Sequence, residues 1–340
     1  MSPSLFSTLN LIKVFGAALV VASHYAGQYY STPFYSYGTG CFFVVSGYYA
    51  FNWERHRGWY YLAKRLTRLY PAFLVALLAY LLARQIPLAE WPLLTAHHLT
   101  FLLSTPDRAT VFALNPPFWS LAVFFTFFAL VAFLPRITPR FWQVVVLMLL
   151  AAGALWLNVT TWREGYIELW VAPLHLYAFW LGGWLGARAH RRPVPLHWGY
   201  TWLAVGIMLL IVVCGAYYQW LTRVLFLGET FAYRGAMVVL YALLFWAMIH
   251  SPLAARGTGL LSFLGTISFG VYLFHNLPVY WMSDALPASV AVVLSVGLSV
   301  GVAWLSWRFV ESPFQRWSKP RLAKWHRQPA AALPRDGKRE

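Results

Sequence analysis

The feature that most constrains this chain is a run of apolar stretches separated by short, basic connections. A helix crosses the hydrocarbon layer with roughly 20 apolar residues, and lipid tolerates no open sheet edge. Stretches of that kind lie at about 8–28, 38–53, 70–85, 117–135, 141–159, 168–187, 199–221, 235–250, 262–282 and 288–309. The expected fold is all-α, a polytopic membrane helix bundle with about ten transmembrane helices. The second stretch is short, and both it and the third are open to tilting, breaking or lying partly at the interface.

Composition excludes the obvious alternative. A formal charge of +16 suggests nucleic acid, but the chain is 60% hydrophobic and only 11% charged. Soluble chains carry about 25% charged residues, so the scaffold a nucleic-acid groove needs is missing. Cys41 and Cys214 sit inside apolar stretches, which excludes a disulfide framework or a paired-cysteine metal site. The N-terminal stretch has no basic leader and is long enough to span, so it reads as an uncleaved first transmembrane helix.

Charge placement tests the span count independently. With the N-terminus inside, twenty of the 26 Lys and Arg residues fall on the cytoplasmic side and five (Arg84, Arg108, Arg163, Arg223, Arg234) on the other. Lys13 alone lies within a span. A missed or extra helix would scramble this bias, so both termini are expected to be cytoplasmic. Trp and Tyr cluster at span ends, as in Trp59-Tyr60-Tyr61, Tyr217-Tyr218 and Tyr280-Trp281, and read as interfacial belts. Residues 1–312 then form one transmembrane domain. Residues 313–340 form a basic cytoplasmic tail that is disordered or lies on anionic headgroups of the bilayer.

The first span carries the sharpest local pattern. Lys13 and His24 are eleven residues apart. Eleven steps of 100° end about 20° past three full turns, so the two side chains share one helix face, about 16 Å apart along the axis. Ionisable groups inside a span are costly and face the bundle interior or a water-filled cavity; snorkelling of Lys13 and an interfacial His24 are the plainer alternative.

Six motifs in chain order extend that pattern. They are Lys13 to His24 in the first span, Phe42-Phe43-Val44-Val45-Ser46-Gly47, and Lys64-Arg65-Leu66-Thr67-Arg68-Leu69-Tyr70-Pro71. Trp119-Ser120-Leu121-Ala122-Val123 follows, then Leu264-Gly265 through Ser268, Tyr272, Leu273 and His275, and last Glu311-Ser312-Pro313. Together they resemble acyltransferase family 3, integral-membrane enzymes that O-acylate surface glycans and other molecules. Two positions depart from the family pattern. Lys13 stands where the family has arginine, which keeps the charge but loses the planar fork. Phe124 and Phe125 stand where many members carry one or two glutamates; Asp107, Glu164 and Glu168 are candidate replacements.

The resemblance implies an acyl-CoA donor, acetyl-CoA first, and a glycan or lipid-linked saccharide acceptor, handled by a multi-pass protein of the bacterial cytoplasmic (inner) membrane. A polysaccharide-synthesis complex is a further implied partner. Acyl transfer needs a base, a hold on the thioester and donors for the oxyanion. His24 is the candidate base, with His275 and Ser120 as catalytic partners. Lys13, Arg65 and Arg68 are candidates for the phosphates of the donor, with positive-inside anchoring as the plainer reading of the two arginines. Trp119 and Tyr272 are candidates for acceptor contacts. Ser46-Gly47 fits close helix packing, and Glu311 fits pairing with a basic neighbour. His97-His98 are too isolated for a metal, and none is expected. Two other classes fit the composition: a transporter of a saccharide or small organic anion using Lys13 and His24 as a relay, and a non-catalytic member of a synthesis complex.

Overall fold

A computed structural model describes residues 3–52, 58–100, 110, 112–134, 136–162, 172–191, 196–224, 231–252, 259–282 and 286–327. The first half contains α1 (Pro3–Tyr30), α2 (Thr39–Asn52), α3 (Gly58–Ala83), α4 (Trp91–Leu99), α5 (Trp119–Phe133) and α6 (Phe141–Trp162). The second contains α7 (Leu176–Arg191), α8 (Trp198–Ala216), α9 (Tyr218–Val224), α10 (Phe231–Ile249), α11 (Gly259–Phe274), α12 (Val279–Met282), α13 (Ala288–Ser306) and α14 (Ser312–Arg327). The segments Phe6–Tyr30, Gly58–Ala83, Pro116–Phe133, Trp198–Ala216, Phe231–Ile249 and Ala288–Lys324 are long and apolar enough to cross a membrane. Phe141–Ala154 and Gly259–Phe274 are shorter apolar helices. The chain is a polytopic helical membrane bundle.

The other two expected spans are α2 and α7, of 14 and 16 residues. At 1.5 Å per residue they reach only about 21 and 24 Å, short of a 30 Å hydrocarbon layer. Their length is tolerated because they face each other more than lipid. α2 packs along α7, and the crossing is closed by two glycines. A Cβ on Gly47 would fall on the Phe179 carbonyl, and one on Gly182 on the Val44 carbonyl. Close packing is therefore the role of Gly47.

α1 is the central column, in contact with α2, α10, α11 and α13. Two apolar cores flank it. One joins α2, α5, α7 and α10 through Phe43, Tyr48, Phe127, Phe179 and Phe245. The other joins α3, α5 and α11 through Phe73, Tyr80, Leu121, Leu273 and Phe274. The candidate site residues lie along the seam between them.

Three boundaries differ from expectation. α3 begins at Gly58 rather than near 70, so the basic segment expected as a connection is helical and runs through Pro71. α11 stops at Phe274 rather than running to 282. After α13 the helix widens into a π turn over Trp307–Glu311 and continues as α14, so residues 313–327 of the expected tail are an ordered helix packed on α3. Of the aromatic residues at the span ends, Trp59, Trp198, Tyr217 and Trp281 are exposed, whereas Tyr61 is fully buried. Both cysteines are free thiols. Asp107, Glu164 and Glu168 lie outside the described residues.

Candidate functional site

The face of α1 that holds Lys13 and His24 lies along α11. Lys13 Nζ donates to the Gly265 carbonyl at 3.0 Å, and the His24 ring centroid is 5.0 Å from that of His275. The contacted residues on α11 advance with those on α1, so the two helices run parallel. Gly265 permits this approach, since a Cβ there would collide with the buried Asn10 side chain.

His275 sits where α11 breaks. Pro278 has no N–H to give the Phe274 carbonyl, which favours a break here, and Leu277 N and Val279 N turn instead to Phe274 and Asn276. Irregular backbone at this depth requires partners from its surroundings. The Leu273 carbonyl accepts from the Asn115 amide at 2.9 Å and the Tyr80 hydroxyl at 3.1 Å. The His275 carbonyl accepts from the Tyr25 hydroxyl at 2.6 Å. His275 Nδ1 lies 2.9 Å from the Tyr272 carbonyl. A carbonyl only accepts, so the neutral ring carries its hydrogen on Nδ1 and presents Nε2 as a bare acceptor. That fully buried Nε2 has no hydrogen-bond partner among the described residues.

Three cavities follow the seam. At the end of the bundle where α1 begins, a mouth of about 310 Å³ is lined by Lys13, Lys64, Arg65, Arg68 and Lys319 among others. It shares Lys13, Arg65 and Arg68 with a near cavity of about 200 Å³, walled by Phe42, Tyr49, Phe124, Phe128 and Tyr272. Beyond Tyr272 lies a far cavity of about 310 Å³, lined by Ser23, His24, Tyr35, Tyr37, Trp119, Tyr218 and Arg234. Tyr272 lines both the near and the far cavity.

The Tyr272 hydroxyl is 2.7 Å from Ser120 Oγ, and each oxygen is also within reach of the Pro117 carbonyl, at 2.9 and 3.1 Å. One hydroxyl donates to that carbonyl and the other donates to its partner, so both protons are used within the trio. Ser120 is fully buried and lines none of these three cavities; it meets them through Tyr272.

The bundle thus brings the residues singled out from the sequence into two groups. Lys13, Arg65 and Arg68 share the near cavity and the mouth; His24, Trp119 and Tyr272 share the far cavity, with His275 behind His24. The guanidinium of Arg65 lies 5.0 Å from the Tyr61 ring and 5.4 Å from the Phe128 ring. Phe124 packs 5.0 Å from Phe43 and 5.8 Å from Phe179. Buried Glu311 accepts from Ser306 Oγ at 3.4 Å and lies within electrostatic reach of Arg68. His98 Nδ1 donates to the Leu94 carbonyl within α4.

Sequence reasoning missed Tyr37, His175 and Arg234. Tyr37 Oη is 2.8 Å from His175 Nδ1, and the Arg234 guanidinium lies 5.5 Å from the Tyr37 ring. Arg234 stands inside an apolar helix, which is the pattern that could have found it; Tyr37 and His175 carry no local one.

Apolar helices around a cation-lined cavity and a histidine pair, buried in one seam, define a polytopic membrane protein with an internal site. A family model described as an acyltransferase domain matches residues 6–308 of the 340. The chain belongs to acyltransferase family 3, and is a membrane acyltransferase. It matches no curated protein and no solved structure.

Proposed function

We propose that the chain is an acyl-CoA-dependent O-acyltransferase of the bacterial cytoplasmic membrane. It moves an acyl group, acetyl first among the candidates, from cytoplasmic acyl-CoA to a hydroxyl of a glycan or lipid-linked saccharide at the outer face. The observation that carries this reading is the succession of mouth, near cavity and far cavity, cationic at one end and bearing His24 at the other. A polyanionic donor suits Lys13, Arg65 and Arg68, and a slender thioester arm suits the near cavity. Cytoplasmic termini, the orientation the charge bias favours, put the mouth on the donor's side.

In this reading the neutral His24 ring takes the acceptor's hydroxyl proton as its oxygen bonds to the thioester carbon. Collapse of the tetrahedral adduct breaks the carbon–sulfur bond, and the departing thiolate takes the proton from His24. His275 Nε2 has no hydrogen-bond partner among the described residues; as the acceptor binds, it takes the His24 N–H and fixes which nitrogen faces the far cavity. Ser120 acts through Tyr272 as a positioning residue, and Trp119 stacks on the acceptor.

The test uses purified full-length protein in vesicles with radiolabelled acetyl-CoA, with and without a crude surface-glycan fraction. His24→Ala is expected to lower coenzyme A release roughly 100-fold or more with its thermal unfolding midpoint retained. Near-normal release by that folded variant refutes the assignment of the base.

A further inference from the structure

The far cavity holds a second set of buried polar groups that acyl transfer itself does not require. Arg234 is the fourth residue of α10, in an otherwise apolar helix, and only 6% exposed. A cation held there faces the bundle interior and marks a substrate path more often than an anchor. Its residue lines the same cavity as His24.

The surroundings are built with some strain. Tyr37 has a φ of +48°, in the left-handed region that bulky residues avoid. That backbone buries the Tyr37 ring beneath the Arg234 guanidinium and sets its hydroxyl on His175. Gly40 leaves the ring its room, since a Cβ there would lie 2.9 Å from it. Tyr35 and Tyr218, with ring centroids 5.0 Å apart, add to the wall, as does Trp119.

An aromatic wall covers the apolar face of a pyranose, and a guanidinium fork matches two coplanar anionic oxygens. We infer that the far cavity is a site for an anionic saccharide, whose charged group seats on Arg234 while a hydroxyl reaches His24. The hydroxyl's fate rests on the acyltransferase reading; the anion site does not. The charge has two sources, a uronic carboxylate on the sugar or the diphosphate of a lipid-linked sugar.

Equilibrium binding to the full-length protein in nanodiscs tests this with three probes: trigalacturonate, its carboxyl-reduced neutral counterpart, and a short-prenyl diphosphate-linked N-acetylglucosamine. The wild type is expected to bind one of the anionic probes roughly 10- to 100-fold more tightly than the neutral one, and which one names the source. Arg234→Gln removes that preference, and Arg234→Lys, with charge but no fork, leaves part of it. Equal binding of all three probes by the wild type overturns the inference, whether or not the variants fold. So does an unchanged preference in a folded Arg234→Gln. Coenzyme A release from labelled donor is read in the same preparations. Arg234-dependent binding without release in any arm sinks the acyltransferase reading and leaves the anion site standing. Release with no preference for charge does the reverse.

Discussion

Lys13→Met exchanges the ammonium shared by the mouth and the near cavity for an uncharged side chain of similar length. The fold should barely respond. The Gly265 carbonyl that Lys13 engages also accepts from Ser268 Oγ at 3.0 Å, so no backbone group is orphaned. Arg65 and Arg68 line the same cavity, so removing one of three like charges relieves repulsion. The expected change in stability is within about 1 kcal/mol. Donor binding responds far more. A hydrogen bond from a charged group to a phosphate oxygen contributes about 1.5–3 kcal/mol, which is roughly 10- to 100-fold in the KM for acyl-CoA. Along α1, Lys13 is about 16 Å from His24, so kcat should move only a few-fold. Release of the free thiol measures both constants, and the unfolding midpoint with and without coenzyme A checks fold and binding separately. An unchanged KM would refute the donor grip. A collapsed kcat at unchanged KM would move Lys13 to the reacting centre.

Two further expectations follow from the packing. Tyr25→Phe removes the hydroxyl that donates to the His275 carbonyl at the break in α11; it should cost about 1–2 kcal/mol and lower kcat up to roughly tenfold with both KM values kept, whereas a shift in KM alone would contradict a positioning role. Gly47→Ala drives a methyl onto the Phe179 carbonyl and should cost about 1–3 kcal/mol or more, read as a lower unfolding midpoint; an unchanged midpoint would mean α2 and α7 can part freely.

What was legible in the sequence was whatever depends on one helix at a time. The shared face of Lys13 and His24 is a matter of angle, and it survives intact because α11 runs parallel to α1 beneath both. Apolar stretches reported spans for the same reason. Boundaries set by neighbours were not legible. Lys64, Arg65 and Arg68 resemble a hydrated connection until α14 and α1 enclose a cavity around them, and then that segment is helix. The basic residues of 313–327 read as tail because the π turn that lays them on α3 leaves no mark in composition. The break after Phe274 did have a mark, Pro278, four residues beyond the carbonyl it fails to serve. Arg234 read as one of a few outer cations, and only the seating of Tyr37 and His175, brought from distant segments, turns it inward.

The two departures from the family pattern lie in the same place, and this gives them a common physical reading. Lys13 and Phe124 both line the near cavity. A guanidinium fork gains over an ammonium chiefly when a planar carboxylate or phosphate meets it squarely. With Phe124 packed among Phe43, Phe128 and Phe179, no carboxylate is among the described residues lining this cavity, and the fork loses one reason to be there. Lys13→Arg alone should then change stability and activity little. Phe124→Glu alone sets a carboxylate among aromatic rings, and only the cations across the cavity offset a desolvation penalty of several kcal/mol. The double variant restores both family residues and should be more stable than the sum of the single effects by about 1–3 kcal/mol, measured by reversible unfolding in mixed detergent. Additivity within about 0.5 kcal/mol would show that the two positions do not sense each other, and that lysine at 13 has a cause unrelated to the missing acid.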